Sequence, residues 1–267
     1  MWGAIVCLIL FLAPGATAAA PKKIVTLNPS LTETLFELGL GSSIVGTVDA
    51  SDFPEAAKKI ERIGSYGRPN VEKIIKLKPD VVLTFKEGID RITPTLKRAN
   101  IRLLIFESRS AKDYPEMVKT LGQEFGLIAK AEEHLKKWHA EWQVPPAKNA
   151  NGKVLLQLEG TPLIVAGGDS FLTEILNRCG FSNAFGDHKG YPTISKEAVS
   201  AKKVDFIAVL MENVTDQTRE SIQKNWASSP LTRNISVVFY DSHRLSRLGP
   251  GLPGEARKFC QALKEAR

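Results

Sequence analysis

Apolar residues recur along this chain in two signatures, stripes at spacings of three and four and short unbroken runs. The two meet in residues 70–85. Asn70 has the character of a helix cap, and Val71, Ile74, Ile75 and Leu77 share one face behind it. Pro79 ends that helix, because proline lacks a backbone donor and restricts the residue before it. Asp80 then opens an apolar run, 81–85, with the composition of a buried strand. The same succession of cap, Glu, apolar stripe, Asp and strand returns over 195–210. The interval from Glu72 to Asp80 equals that from Glu197 to Asp205. Two copies of one helix–strand unit, one in each half, predict two similar lobes.

The remaining pattern fits around these units. A strand is expected over 23–27, then a helix over 31–38 with Ser30 and Glu33 at capping-box spacing and Gly39 as its stop. A strand over 44–48, a helical turn over 55–59, a helix over 91–99, a strand over 102–106 and a helix from Asp113 to 125 complete the first half. Residues 128–143 contain neither Gly nor Pro and predict one long helix, ended by Pro145 and Pro146, with Leu135, Trp138 and Trp142 on one face. Beyond a linker, strands over 153–158 and 237–240 and helices over 171–179, from Thr215 to 224 and from 255 frame the second unit. Alternating strands and helices of this length predict an α/β fold. Two α/β lobes with mostly parallel sheets, 21–127 and 149–267, are joined by one long backbone helix and linker over 128–148, with a ligand cleft between them.

Composition changes this picture mainly at the N-terminus. Residues 1–20 carry no charge, have an apolar run over 4–13 and end in Ala-Thr-Ala-Ala-Ala before Pro21-Lys22-Lys23. That is the form of a cleavable secretory signal, processed after one of the residues 18–20. A membrane anchor is the alternative, but the run is about half of the roughly 20 residues a span needs. The exported chain, expected in the periplasm, keeps the net charge of +7. Its Lys and Arg are spread over helix faces rather than gathered with aromatics, which argues against a nucleic-acid partner. Cys7 lies mid-run in the signal, away from the cleavage point of a lipid-attachment cysteine. Cys179 and Cys260 remain, and an even pair in an oxidising compartment implies a disulfide, a free buried pair being the alternative.

No catalytic pattern stands out: there is no Gly-x-Ser-x-Gly elbow, Cys-x-x-Cys or His-Glu-x-x-His. Gly39-Leu-Gly41 ends a helix instead of opening one, unlike a phosphate cradle. His134 and His139 are on different parts of a helix face, and His188 and His243 fall in loops. Open α/β sheets bind ligands in the loops after their strands. Those loops hold Tyr66, Phe85 and Tyr191, which could stack on a large flat ligand or belong to the core.

Six segments together carry a resemblance: Pro29-Ser-Leu-Thr-Glu33, Ile44-Val-Gly46, Ser51-Asp-Phe-Pro54, Gly64-x-x-x-x-Pro69-Asn-x-Glu72, Leu77-Lys-Pro-Asp80-Val-Val-Leu83 and Arg247-Leu-Gly-Pro250. The set resembles the helical-backbone substrate-binding proteins of ABC importers, which carry cobalamin, haem or ferric siderophores. The likeness covers the whole exported chain and is greatest to the cobalamin-binding branch. It implies a monomer without catalysis, cofactor or resident metal, which captures a metal chelate and delivers it to the importer's membrane subunits. Glu72 and Glu197 match the pair of glutamates that dock on arginines of those subunits. Cleft positions match Ala50, Tyr66, Phe85 and Tyr191, with Arg68 nearby, and the second-lobe contact loop matches Asp241, Ser242, His243, Arg244 and Leu245. The spacing of Cys179 and Cys260 resembles the family's disulfide. The cleft tryptophans of the cobalamin branch have no counterpart here, which leaves two other ligands open. Haem would favour Tyr66 or His243 as axial ligand, and an anionic siderophore a cluster of Arg68, Lys86 and Arg244. A secreted two-lobe enzyme with a metal-bound cofactor is the reading from a different class.

Overall fold

The computed structural model describes residues 23–87, 89–142, 152–212 and 214–265. The expected signal over 1–20 and the linker after the long helix lie outside the described residues.

The two repeated units fold alike, bond for bond. Asn70 caps α2 (Val71–Leu77) by accepting from the Lys73 N–H at 3.0 Å, and Ser195 caps α7 (Lys196–Ala201) by accepting from the Ala198 N–H at 3.3 Å. Each helix is left through a left-handed lysine, Lys78 at φ 49° and Lys203 at φ 52°. The aspartate two residues on then starts the sheet. The Asp80 carboxylate accepts from the Lys23 N–H at 2.7 Å while its own N–H donates to the Lys23 carbonyl at 2.9 Å. Asp205 does the same to Lys153, at 2.5 and 2.8 Å. Each aspartate thus fixes the register between its own strand and the first strand of its lobe.

Those first strands are β1 (Ile24–Thr26) and, further on, β7. In the N-terminal lobe β1 is followed by α1 (Pro29–Glu37), β2 (Ile44–Thr47), a small antiparallel hairpin of β3 (Gly64–Ser65) and β4 (Arg68–Pro69), α2, β5 (Val81–Phe85), α3 (Thr93–Arg98), β6 (Arg102–Phe106) and α4 (Asp113–Glu124). Its sheet is parallel in the order β2-β1-β5-β6. After α5 (Ile128–Trp142) the C-terminal lobe runs β7 (Lys153–Gly160), β8 (Leu163–Val165), α6 (Phe171–Arg178), β9 (Ser182–Asn183), α7, β10 (Phe206–Met211), α8 (Asp216–Ala227), β11 (Ser236–Asp241) and α9 (Leu252–Glu265). Its sheet order is β11-β10-β7-β8, with β9 beside β7; β8 is antiparallel and the other pairings are parallel. Residues alternate between two cores, as strand pleating requires. Val81, Leu83 and Phe85 face a central core shared with Ala208 and Leu210, while Val82 and, in the other lobe, Ile207 and Val209 face separate outer cores.

Helix α5 fastens the lobes together. Its buried face is Leu135, Trp138 and Trp142, with the two indoles stacked at 5.2 Å and Tyr114 of α4 at 5.1 Å from Trp138. Trp138 also donates from Nε1 to the Gly249 carbonyl of the second lobe at 3.2 Å. Cys179, at the end of α6, is bonded to Cys260 of α9. Among the described residues no helix is long and apolar enough to cross a membrane.

Two local expectations need correction. The capping box of Ser30 and Glu33 is absent, because Pro29 suits the first helical position and moves the helix start back to Asn28, whose side chain makes no capping bond to the helix. Ser30 and Glu33 are consequently buried. The short strands β3, β4, β8 and β9 give no legible period at two or three residues each.

Candidate functional site

The loops following the strands converge on one cavity between the lobes, about 910 Å³ in volume. This lies near the top of the usual range for small-molecule sites, so the space suits a large ligand. The N-terminal wall comes from the β1–α1 turn (Asn28, Pro29, Ser30), from Phe85 and Glu87 after β5, and from Ser108 and Arg109 after β6. Ala50, in the loop after β2, and Tyr66, at the turn of the β3–β4 hairpin, complete it. Opposite stand Asp169, Ser170 and Phe171 at the start of α6, the Lys189–Tyr191 loop, Glu212 after β10, and Ser246, Arg247 and Leu248. Tyr66 and Tyr191 are each about half exposed, unusual for tyrosines, and reach the cavity from opposite lobes.

Asn28 organises the N-terminal side. Its Oδ1 accepts from the Phe85 N–H at 3.1 Å. Burial raises the pKa of both Tyr66 and Tyr191, and the carboxylate of Glu87 adds to it in each, so both phenols stay neutral. At the rim, Lys86 pairs with Glu107 at 2.8 Å, Arg109 lies 3.9 Å from both Glu87 and Glu107, and Ser108 donates to Glu87 at 2.9 Å. The wall mixes acids with bases and holds no surplus of cations.

At the other end of the cavity Arg247, 9% exposed, crosses the lobe boundary. Its Nη1 donates to Glu33 Oε1 at 2.7 Å and Asp52 Oδ1 at 2.9 Å, and its Nη2 to the Ala50 carbonyl at 3.0 Å. His243 Nε2 sits 2.7 Å from Asp52 Oδ2 and 2.8 Å from Arg247 Nη2. Burial pushes Glu33 up from the ordinary carboxylate range despite the guanidinium. Burial would also raise Asp52, but hydrogen bonds from His243 and Arg247 outweigh it and hold Asp52 at about 2.

Of the residues expected in the cleft, Ala50, Tyr66, Phe85 and Tyr191 are brought together in its wall. Arg68, Asp241, Ser242, His243, Arg244 and Leu245 are not part of it. Arg68 is exposed, in β4 of the hairpin. The segment after β11 coils into a helical turn, with the Ser246 N–H donating to the Ser242 carbonyl at 2.8 Å. That turn buries Ser242 and Leu245 and presents Ser246 to Leu248 instead. Asp241 accepts from the His243 N–H at 3.0 Å, and the Arg244 guanidinium lies over the Phe53 ring at 4.4 Å. The cation cluster of Arg68, Lys86 and Arg244 is therefore not assembled. Arg247, already conspicuous in the Arg247-Leu-Gly-Pro250 segment, is the wall residue that reading the chain overlooked; Asn28, Glu87, Asp169 and Glu212 carry no signal beyond following a strand or preceding a helix. His134 is bonded to Tyr114 at 2.7 Å and His188 to Asp187 at 2.9 Å, away from the cavity. Among the described residues no group of His, Cys, Asp and Glu is arranged to hold a metal ion. Glu72 and Glu197 are exposed in the first turns of α2 and α7, one on each lobe.

Two lobes, a stiff connecting helix and a cavity at the strand ends define a ligand-capturing protein. Residues 24–243 match the family described as periplasmic binding protein, and this chain belongs to that family. A vitamin B12-binding protein of Vibrio vulnificus (strain YJ016) is 30% identical over 240 residues, 86% of this chain and 84% of its own. An uncharacterized ABC transporter substrate-binding lipoprotein of Bacillus subtilis (strain 168) is 28% identical, over 87% of this chain and 76% of its own. Among solved structures, the periplasmic heme-binding protein RhuT from Roseiflexus sp. RS-1, in apo form, superimposes with a TM-score of 0.77 at 25% identity, covering 92% of this chain and 98% of that one. The chain is thus a substrate-binding protein of the ABC-transporter type, and its relatives are binding proteins and not enzymes.

Proposed function

We propose that this protein is exported to the periplasm, captures cobalamin or a related corrinoid between its lobes, and delivers it to an ABC importer. The observation that carries this reading is the pair of half-exposed tyrosines, one from each lobe, facing a cavity of about 910 Å³. Aromatic faces on both sides suit a broad flat macrocycle. The mixed wall suits a periphery of amides, which both donate and accept: Glu87, Asp169 and Glu212 accept, Arg109 and Lys189 donate. The vitamin B12-binding name of the Vibrio vulnificus relative supports the same ligand. Export is supported by the signal-like residues 1–20 and by the disulfide. Glu72 and Glu197, exposed at equivalent points of the two lobes, are the proposed contacts with the membrane subunits.

A second reading, haem, is favoured by the two phenols, either of which could approach a ring metal. Among the described residues nothing cationic stabilises a phenolate at either, however, and burial and Glu87 both oppose ionisation. His243 is committed to Asp52 and is a poor axial ligand. Equilibrium dialysis of the processed protein against cyanocobalamin, followed by its visible spectrum, tests the proposal. One retained cobalamin per protein is expected. Retention of haem with rejection of cyanocobalamin would overturn it.

A further inference from the structure

The bonds around Arg247 have a feature that capture of a ligand does not by itself require. Glu33, Asp52 and the Ala50 carbonyl belong to the N-terminal lobe, and His243, Arg247 and Glu212 to the C-terminal lobe. Every hydrogen bond from Arg247 to Glu33, Asp52 and Ala50 therefore crosses the boundary that must part for a ligand to enter. Arg244 over Phe53 crosses it too, and so does the Ala111 N–H donating to Glu174 at 3.1 Å. Helix α5 is a stiff connection, so a modest set of rim bonds is enough to decide between a shut and a parted cleft.

We infer that His243 and Asp52 are positioning residues that clamp the Arg247 guanidinium across the lobe boundary and hold the cleft shut, the clamp being tightest when His243 carries both protons. The inference uses the cleft as the binding site but not the identity of its ligand. An approach of 2.7 Å between His243 Nε2 and Asp52 Oδ2 needs a hydrogen between them, which sits on Nε2 because a carboxylate bonded by Arg247 as well is the weaker base. The 2.8 Å approach of Arg247 Nη2 to the same nitrogen is then a contact between two donors, and the proton that charges the ring is the one on Nδ1. The second ring nitrogen, Nδ1, is buried without a hydrogen-bond partner, 3.3 Å from Glu212 Oε2 and so within ion-pair range. The charges facing the imidazole are therefore Asp52 from the first lobe and Glu212 from the end of β10. Asp241 accepts from the His243 backbone, Glu33 stands behind Arg247, and Lys58 is close enough to Asp52 to feel its charge. Arg247 is the cation in contact with the ring, and Arg244 its neighbour in sequence. With Glu33 and Asp52 on the guanidinium and Glu212 beside the ring, three carboxylates stand against one cation, and an added imidazolium relieves their repulsion.

The sign follows. Burial and the Arg247 charge lower the pKa of His243, but its hydrogen bond to Asp52 and the nearby carboxylate of Glu212 outweigh them and raise it above the ordinary 6.5. The shut form thus binds this proton more tightly than the parted form. Its extra stability is present in full below the ordinary histidine value and is lost as pH rises through the raised one.

The test measures lobe separation without any ligand. Lys97→Cys on α3 and Lys224→Cys on α8, both exposed, accept spin labels while Cys179 and Cys260 stay bonded to each other. The distance between labels, read by pulsed electron resonance from about pH 5.5 to 8.5, brackets the unperturbed histidine pKa of about 6.5. We expect the distribution to widen and lengthen as pH rises, and to be wide and pH-independent in His243→Gln. Asp52→Asn should also widen it at low pH. A wild-type distribution that ignores pH, or a His243→Gln protein that keeps the wild-type pH response, would overturn the inference. The wild-type profile decides even if a variant fails to fold. Cyanocobalamin dissociation, measured separately, should quicken several-fold over the same rise in pH. If cyanocobalamin does not bind at all, the reading of the ligand fails while the distance measurement still stands or falls by itself.

Discussion

The helix–strand units of the two lobes agree almost atom for atom, whereas the two walls of the cleft share little. In both units a polar cap, a left-handed lysine and an aspartate bonded to the first strand recur in the same order. The walls differ in construction. The N-terminal lobe offers a hairpin carrying Tyr66 and a charged rim of Lys86, Glu107 and Arg109. The C-terminal lobe offers a loop packed so tightly that a Cβ on Gly168 would lie 1.9 Å from the Gly186 carbonyl oxygen. The contrast teaches which constraints fix a lobe and which leave it free. A helix must stop and a strand must find its register in each lobe, and local backbone bonds dictate how. The loops beyond the strand ends carry no such obligation and can be shaped to a ligand.

The largest effect should come from the feature the units share and the walls lack. Replacing Glu72 and Glu197 together by Ala should reduce importer-dependent uptake to background while the purified protein retains cyanocobalamin as before. Weakened retention would show that these carboxylates act on the cleft and not on the transporter. Next comes a tie that only one lobe possesses. The disulfide closes a loop with a sequence separation of 81, and in the chain-entropy model its loss costs roughly 4 kcal/mol. Cys179→Ser with Cys260→Ser should lower the urea midpoint accordingly. An unchanged midpoint would mean that packing alone holds α6 on α9. Smaller again is the contribution of each aromatic to the walls. Tyr66→Ala and Tyr191→Ala should each weaken cyanocobalamin binding by about 1.4 kcal/mol, roughly tenfold. Comparable losses would make the cleft symmetric in energy though not in construction. A loss confined to one tyrosine, with a changed visible spectrum, would favour metal ligation and hence the haem reading.

Much of the fold was legible because its determinants are local. Asn70, Pro79 and Asp80 act within a few residues of where they stand, and Ser195 and Asp205 repeat them, so a period in the chain became a period in the structure. Tyr66, Phe85 and Tyr191 were legible as residues following strands, where open sheets place their ligands. The capping-box reading of Glu33 failed because the residue answers to Arg247, on the far lobe. The segment from Asp241 to Leu245 failed for a related reason. Its helical turn is set by burying Leu245 in the central core, and that packing rotates Arg247 to the cavity and His243 toward Asp52. Partners drawn from opposite lobes have no spacing to betray them.

The finest comparison is between Lys78 and Lys203. Both leave their helices with positive φ, at 49° and 52°, and both are exposed. An L side chain in the left-handed region crowds its own carbonyl, at a cost of the order of 1 kcal/mol, which glycine escapes. Glycine in turn gives up more freedom on folding, which takes back part of the gain. Lys78→Gly and Lys203→Gly should therefore each raise stability slightly, by about 0.5 kcal/mol. The two sites are in separate lobes, so the double variant should gain the sum to within a few tenths of a kcal/mol. Urea midpoints of the two single variants and the double variant check this. Equal gains would establish that the two turns are equivalent in energy as well as shape. A gain at one site only would locate a compensating contact of the other lysine, and the equivalence of the units would then stop at their backbone.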